Sequence, residues 1–358
     1  MKMRTDARYK IVVPTSIGVR ITPENRQPVE SARTYMIQST SAESNVAQIS
    51  ASLGLPAKLL TTFVADNAIA TFIKNDLRFR GLDYEGPSIP AGGPWGYRHQ
   101  FNIADSGYGA RGPYVQNDRA GEVGRTLNVK DFDLDRIFGE EGATIVHMSG
   151  LIAALSPNTS EFCLQIARHA KKSGSLISFD LNHRASFWAG REEELRAAFL
   201  EIAGLADILI GNEEDYQLAL GIKGPDTGQV DSLESKIAGF KKMILRAHEA
   251  FPSVKVFANT LREVVDANNH LWGAILYENG NWHVELPRSI TVLDRIGGGD
   301  GFVGGLLYAI ASEKDPSEWI KFAWATGALA TTMLTDYATP VNEAQIRAIY
   351  EGNARVQR

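Results

Sequence analysis

The 358-residue chain has a single cysteine, no run of five like charges and no uninterrupted apolar segment of 18 residues. One cysteine excludes an intramolecular disulfide and is typical of a reducing compartment, so we expect a cytoplasmic protein. Cys163 lies in a helix-like segment without an activating neighbour, which indicates a buried structural thiol. The 37 basic and 42 acidic residues are nearly balanced. These features argue against nucleic acids and membranes as partners.

The chain also lacks the P-loop pattern, so nucleotide binding has no support from that motif. It has instead a glycine-rich segment, Gly297–Gly299, followed by Asp300 and by the apolar, helix-like run Phe302–Ile310. Bare amides at a helix start bind anions, and a carboxylate beside them can accept the proton of a hydroxyl. The segment therefore predicts a phosphoryl-transfer site. The simpler interpretation is a glycine turn in which Asp300 caps the helix.

The same segment matches the dinucleotide fingerprint as Gly299-x-Gly301-x-x-Gly304. That fingerprint needs an acidic residue at the end of a second strand about 20 residues further on. The corresponding positions, Ser317–Phe322, have a helical pattern, so we do not expect an oxidoreductase.

Strand-like and helix-like segments alternate along most of the chain, which predicts an α/β fold with a doubly wound, mainly parallel sheet covered by helices on both faces. Two polar, glycine-rich segments, 12–38 and 88–123, interrupt the alternation. We expect them to form a small β-sheet lid within a single domain spanning 1–358; the alternative is long surface loops. Strands are predicted at 10–21, 58–64, 143–148, 176–180, 206–210 and 254–259, and helices at 43–53, 68–80, 158–172, 192–203, 213–220 and 233–250.

Several ordered motifs give the chain a family resemblance over nearly its whole length. The chain resembles the ribokinase-like (PfkB) carbohydrate kinases and, within them, the 2-keto-3-deoxygluconate kinases. The motifs are Glu43–Ala47, Phe179–Arg184 with Trp188, Asn212–Asp215, Thr260–Arg262, Gly297–Asp300 and Arg355–Arg358.

For phosphate transfer, the resemblance implies that Asp300 is the catalytic base and that Gly297, Gly298 and Gly299 form the anion hole. Asp294 would be structural or tied to a cation site. The cofactors would be ATP and Mg²⁺, with a monovalent cation as a further candidate. Asn212 and Asp215 fall on the family's Asn-x-x-Glu motif and would organise magnesium through water, although Asp215 replaces the usual glutamate. Without the resemblance, they would be read as a helix cap and an acidic first turn.

For nucleotide contacts, the resemblance places Thr260 and Arg262, after a strand, near the phosphates and ribose. It places Ala325 and Ala328 beside the adenine; tight helix packing explains these two small residues equally well. For the sugar, it implies contacts from Asn45, Asn102, Arg119, Arg184 and Asp336. A guanidinium such as that of Arg184 suits the carboxylate of a sugar acid, whereas an ordinary surface arginine is the alternative.

The sugar half departs from the family pattern. Thr40 and Ser41 stand where a Gly-Gly pair is usual, so they would narrow the sugar pocket and add hydroxyls to it. The resemblance thus implies an ATP-dependent kinase that phosphorylates a primary hydroxyl of a small sugar acid, with 2-keto-3-deoxygluconate as the first candidate. The alternatives are a kinase for another keto-sugar, sugar acid or nucleoside, and a non-catalytic binding protein. Exposed strand edges of the lid also lead us to expect a homodimer.

Overall fold

The computed structural model of the protein describes residues 1–225 and 232–353. The motif Arg355–Arg358 lies outside the described residues. The strands in the described part are β1 (Tyr9–Pro14), β2 (Gly18–Pro23), β3 (Tyr35–Thr40), β4 (Ala57–Leu60), β5 (Phe63–Val64), β6 (Asp83–Glu85), β7 (Ser88–Ile89), β8 (Phe101–Asp105), β9 (Tyr114–Asp118), β10 (Ala143–Ser149), β11 (Leu176–Asp180), β12 (Ile208–Ile210), β13 (Val256–Val264), β14 (Asn269–Glu278) and β15 (Asn281–Thr291). The α-helices there are α1 (Ala42–Ser52), α2 (Ala68–Phe79), α3 (Gly150–Ala154), α4 (Pro157–Lys172), α5 (Ala185–Trp188), α6 (Glu192–Leu205), α7 (Glu213–Leu220), α8 (Leu233–Ala250), α9 (Gly298–Ala311), α10 (Pro316–Ala330) and α11 (Glu343–Tyr350).

A large sheet organises the molecule, and within residues 1–225 and 232–353 it has nine strands in the order β15-β14-β13-β12-β11-β10-β1-β4-β6. The neighbouring strands are parallel along the series β13-β12-β11-β10-β1-β4-β6. Strand β14 pairs antiparallel with both β13 and β15, so these three strands form an antiparallel edge. The chain winds outward from β1 in both directions. Ligand sites of open α/β sheets lie at the carboxyl ends of strands beside such a reversal. The predicted doubly wound α/β class is confirmed.

Helices cover both faces of this sheet and bury two separate apolar cores. One core packs α4, α6 and α8 through residues such as Phe162, Phe199 and Phe240, and the other packs α1, α9 and α10 through residues such as Val46 and Leu306. Because both faces are covered, a central strand such as β10 is buried at every position. Cys163 is buried in the first core, as predicted for a structural thiol, and burial raises the pKa of its thiol.

A separate small sheet has the order β3-β2-β8-β9. Strand β2 begins only four residues after β1 ends, so the chain leaves the large sheet at Thr15–Ile17 and enters the small one. The predicted lid segment 12–38 therefore has the wrong bounds: Val12–Pro14 belongs to β1 of the large sheet, and the lid strand β3 continues to Thr40.

The antiparallel edge of the large sheet was not predicted. Strand β13 was expected to end at Asn259, but it continues to Val264 because it pairs with β14 along its whole length. Thr260 and Arg262 therefore lie inside a strand and not after one. Among the described residues, no helix is both long enough and apolar enough to cross a lipid bilayer.

Candidate active site

A cleft of about 890 Å³ lies at the carboxyl edge of the large sheet, between that sheet and the lid. The lid contributes residues such as Thr40 and Asn102, and the large domain contributes residues such as Asp180, Arg262 and Asp300. The cleft therefore collects side chains that are far apart in the sequence, at the edge where the winding of the sheet reverses direction.

The glycine segment forms the turn into α9. Gly297 has φ 86°, and a Cβ atom there would lie 1.9 Å from the backbone oxygen of Asp336. Only glycine fits this conformation and this close approach. Helix α9 begins at Gly298, and the cap residue is Gly297, so the simpler interpretation with Asp300 as the cap is wrong. The first-turn amides of a helix have no intrahelical acceptor. Gly297, Gly299 and Asp300 line the cleft, whereas Gly298 is buried and its amide donates to the backbone oxygen of Arg295 at 3.3 Å.

Asp300 stands in the first turn of α9 and is half-buried in the cleft. Its Oδ2 accepts a hydrogen bond of 2.9 Å from Nδ2 of Asn45, which lies on α1. Burial raises the pKa of Asp300 to about 7 against the opposing bond from Asn45; the charges of Asp336 and Glu43 raise the pKa further, and Arg184 lowers it. A carboxylate with this pKa can take a proton and return it near neutral pH.

Asp294, just before the turn, is fully buried and forms an ion pair with Arg20 of β2. Its Oδ1 also accepts a 2.9 Å hydrogen bond from the amide of Ile296. Both carboxylate oxygens are thus bonded to the protein. The ion pair with Arg20 also connects the lid to the glycine turn Gly297–Gly299, which we call the anion turn. This geometry favours the structural role over the cation-site role.

Asn212 and Asp215 form a reciprocal cap at the start of α7. Oδ1 of Asn212 accepts from the amide of Asp215 at 2.8 Å, and Oδ2 of Asp215 accepts from the amide of Asn212 at 2.9 Å. The other carboxylate oxygen of Asp215 accepts from the amide of His183 at 2.9 Å. The cap interpretation therefore describes the local structure, although both residues still line the cleft.

Asp180, at the end of β11, is an acidic cleft residue to which the sequence analysis assigned no role. Its pKa lies well above the usual range, first because of burial and then because of the charges of Asp215 and Asp300. The signal was present in the motif Phe179–Arg184, but nothing local in that motif reveals that three carboxylates from separate elements converge.

Three arginines line the same cleft: Arg184, Arg262 and Arg295. Arg184 donates to the backbone oxygen of His183 at 2.9 Å, and no ion pair of these arginines is found within residues 1–225 and 232–353. Burial lowers the pKa of Arg262, and the neighbouring charge of Arg295 lowers it further. Guanidinium groups without carboxylate partners make the cleft attractive to phosphate and carboxylate anions. Arg295 was not identified from the sequence.

The sugar-side residues are largely bonded to one another. Arg119 donates to both carboxylate oxygens of buried Glu122, at 2.8 and 3.0 Å. Asp336 accepts from Nε2 of Gln38 at 3.2 Å and from the hydroxyl of Thr40. The hydroxyl of Ser41 caps α1 by accepting from the amide of Ser44 at 3.1 Å.

The other predicted contacts divide into two groups. Asn45, Asn102 and Thr260 line the cleft. Ala325 and Ala328 do not line it; they are buried in the core that packs α9 against α10. The geometry thus supports helix packing for these two alanines and gives no support to the adenine contact.

Fold and cleft together define a phosphoryl-transfer enzyme with a ribokinase-like architecture. The family model described as "pfkB family carbohydrate kinase" matches residues 123–251 and 272–340. The chain belongs to this family and is an ATP-dependent carbohydrate kinase.

Individual relatives agree with this assignment. The chain is similar to the 2-dehydro-3-deoxygalactonokinase of Haloferax volcanii, with 24% identity over 95% of this chain and 96% of the relative. It is also similar to the 2-dehydro-3-deoxygluconokinase of Bacillus subtilis, with 25% identity over 80% and 79%. The crystal structure of the 2-dehydro-3-deoxygluconokinase of Thermotoga maritima superposes with a TM-score of 0.85 and 26% identity over 96% of this chain and 98% of that one. The resemblance stated from the motifs is confirmed.

Proposed function

We propose that this kinase transfers the γ-phosphoryl group of ATP to a primary hydroxyl of a small sugar acid, with 2-keto-3-deoxygluconate as the first candidate. The observation that carries the proposal is Asp300, a carboxylate with a pKa of about 7 that lines the cleft beside Gly297 and Gly299 at the start of α9. The three relatives described above are named 2-dehydro-3-deoxygalactonokinase or 2-dehydro-3-deoxygluconokinase, which supports this acceptor class.

In the proposed reaction, Asp300 accepts the hydroxyl proton while the hydroxyl oxygen forms a bond to the γ-phosphorus and the bond to the ADP oxygen breaks. The amides of Gly297, Gly299 and Asp300 would stabilise the negative charge of the transferred group, whereas the amide of Gly298 already donates to Arg295. Arg184 would bind the carboxylate of the sugar acid, because its guanidinium has no carboxylate partner in the described structure.

The residues of the cleft suit a magnesium ion. Burial and then the charges of Asp215 and Asp300 raise the pKa of Asp180, and a cation in the cleft would favour the ionised form of this carboxylate. Within residues 1–225 and 232–353, no three acidic, histidine or cysteine side chains form a ready metal cage. Asn212 and Asp215 would therefore act through metal-bound water, as Mg²⁺ usually keeps several waters. The ion would neutralise charge on the phosphates. A monovalent-cation requirement and a cytoplasmic location remain predictions.

A homodimer through the lid is also part of the proposal. Strands β3 and β9 are the two edges of the small sheet. They carry the exposed apolar residues Tyr35, Ile37, Tyr114 and Val115. Exposed strand edges with apolar side chains favour pairing with a second copy. A monomeric mass by light scattering at micromolar concentration would contradict this expectation.

The test of function is ADP release from Mg·ATP with a panel of acceptors: sugar acids, keto-sugars, hexoses and nucleosides. Strong turnover with 2-keto-3-deoxygluconate supports the proposal. Turnover only with another acceptor would mean that the altered sugar half has changed the specificity. ATP binding without turnover on any acceptor would favour the non-catalytic alternative.

A further inference from the structure

Three buried amide oxygens in the cleft have no hydrogen-bond donor. They are Oδ1 of Asn45, Oε1 of Gln100 and Oδ1 of Asn102. All three side chains line the cleft, and Asn45 and Gln100 are only 2% and 3% exposed. A buried acceptor without a donor is unfavourable unless a ligand or a water molecule supplies the missing hydrogen-bond donor.

The orientation of two of these amides is determined by their neighbours. Nδ2 of Asn45 faces the carboxylate of Asp300 at 2.9 Å, and Nε2 of Gln100 faces the backbone oxygen of Ser16 at 3.4 Å. Rotating either amide would place an oxygen against an oxygen, so the unpartnered atom is the carbonyl oxygen in both cases.

Gln100 is also held firmly in place. Its backbone oxygen accepts from the amide of Val19 at 2.9 Å. Its side chain lies against Gly18, where a Cβ atom would come within 2.0 Å of Cγ of Gln100. The position of the amide oxygen is therefore set before any ligand arrives, which favours specific recognition.

Three carboxylates near the acceptor side are already bonded to protein donors: Asp336 lines the cleft, whereas Glu122 and Glu43 are buried outside its lining. Asp336 accepts from Gln38 and Thr40, and Glu122 accepts from Arg119 and, at 2.5 Å, from the hydroxyl of Ser16. Glu43 accepts from Thr15 at 2.7 Å and from Ser149. Recognition of ligand hydroxyls is therefore left mainly to neutral amide oxygens.

We propose that Gln100, together with Asn45 and Asn102, determines acceptor specificity by accepting hydrogen bonds from the hydroxyls of a polyhydroxylated chain. This inference rests on the proposed function and deepens it: the ligand must carry several hydroxyl donors in addition to its carboxylate.

The test uses Gln100→Leu, which keeps side-chain bulk and removes the acceptor atom. The matched control is Gln27→Leu, an exposed position of the lid between β2 and β3 and outside the cleft lining. With 2-keto-3-deoxygluconate, Gln100→Leu should lower kcat/KM for the acceptor by about 10-fold or more and leave KM for ATP unchanged. The control should change neither value.

Deoxy analogues, each lacking one acceptor hydroxyl, complete the test. For one analogue, kcat/KM of the wild-type enzyme should fall by about the same factor as kcat/KM of Gln100→Leu falls with the full acceptor. When Gln100→Leu is assayed with that analogue, the two losses should not add. Additive losses with every analogue, or an unchanged acceptor kcat/KM in Gln100→Leu, would overturn the inference while leaving the kinase function intact.

Calorimetric measurement of 2-keto-3-deoxygluconate binding in the presence of ADP distinguishes failure of this inference from failure of the proposed function. If wild-type protein phosphorylates no acceptor but binds the acid in a Gln100-dependent way, the inference stands and the proposed function fails. Should Gln100→Leu not fold, as judged by its melting curve, Gln100→Met replaces it and the same outcomes apply.

Discussion

The two sides of the cleft differ in the ion pairing of their charged side chains. On the large-sheet side, Asp300, Arg262 and Arg295 have no ion-pair partner within residues 1–225 and 232–353. On the lid side, Arg119 is paired with Glu122, and Arg20 with Asp294. Unpaired charges are available to a charged ligand, whereas paired charges fix structure and leave recognition to neutral groups. The comparison suggests that phosphate transfer depends on charge and that acceptor choice depends on hydrogen bonding.

The largest effect should come from removing the base. Asp300→Asn keeps the shape of the side chain and removes its ability to accept a proton, so kcat should fall by about 10²–10⁴-fold. ADP binding by calorimetry and the melting temperature should remain close to wild type, since the amides of α9 are unchanged. Near-wild-type turnover in this variant would show that another group is the base.

Breaking the buried ion pair between lid and turn should chiefly affect stability. Arg20→Met leaves Asp294 as an uncompensated buried charge, and the free energy of unfolding should fall by about 3–5 kcal/mol. Chemical denaturation measures this loss. The double variant Arg20→Met with Asp294→Leu should recover a large part of it, because no buried charge then remains unpaired. Equal losses in the single and double variants would contradict the assignment.

Removing an unpaired arginine should weaken nucleotide binding and leave the stability of the fold unchanged. Arg262→Met or Arg295→Met should raise KM for ATP by about 10- to 100-fold, since each loses a charge-assisted bond to phosphate. Arg125→Met, at an exposed position outside the cleft lining, is the control. If both cleft variants changed only KM for the acceptor, the cluster would be binding the sugar carboxylate instead.

The smallest effect should be a shift in the pH profile. The base must be ionised, so acceptor kcat/KM should rise with pH and level off above the Asp300 pKa of about 7. Asn45→Ala removes a donor that stabilises the ionised form, so the rise should move to higher pH. An acid limb near pH 4, the ordinary range of aspartate, would contradict the assigned environment of Asp300.

Predictions from the sequence were accurate where the signal is local. Alternating strands and helices indicated the parallel sheet because periodicity and caps are short-range properties. The glycine segment likewise predicted a turn before α9, where Gly297 has a positive φ. The exception is the antiparallel edge β14–β15, which was missed although its signals are local. Asn279 and Gly280, both with positive φ, form the turn between the two strands, and Trp282, Val284 and Leu286 alternate with polar residues along β15.

The site shows the same division. Asp300 and the glycines are consecutive in the chain, so their juxtaposition was visible in the sequence alone. Asp180, Arg295 and Gln100 were missed because their roles depend on neighbours more than 30 residues away, such as Asp300 for Asp180 and Ser16 for Gln100. The roles of Thr40 and Ser41 likewise depended on Asp336 and on the start of α1.

By itself, the sequence determined the fold class, and it predicted the glycine turn before α9 and Asp300 as the base, because each is encoded by residue types at short spacing. The tertiary structure alone decided which charges are paired, how far the pKa of Asp300 rises and which amide oxygens lack a donor. These properties depend on burial and on contacts between the lid and the large sheet, and such contacts arise only when the chain has folded.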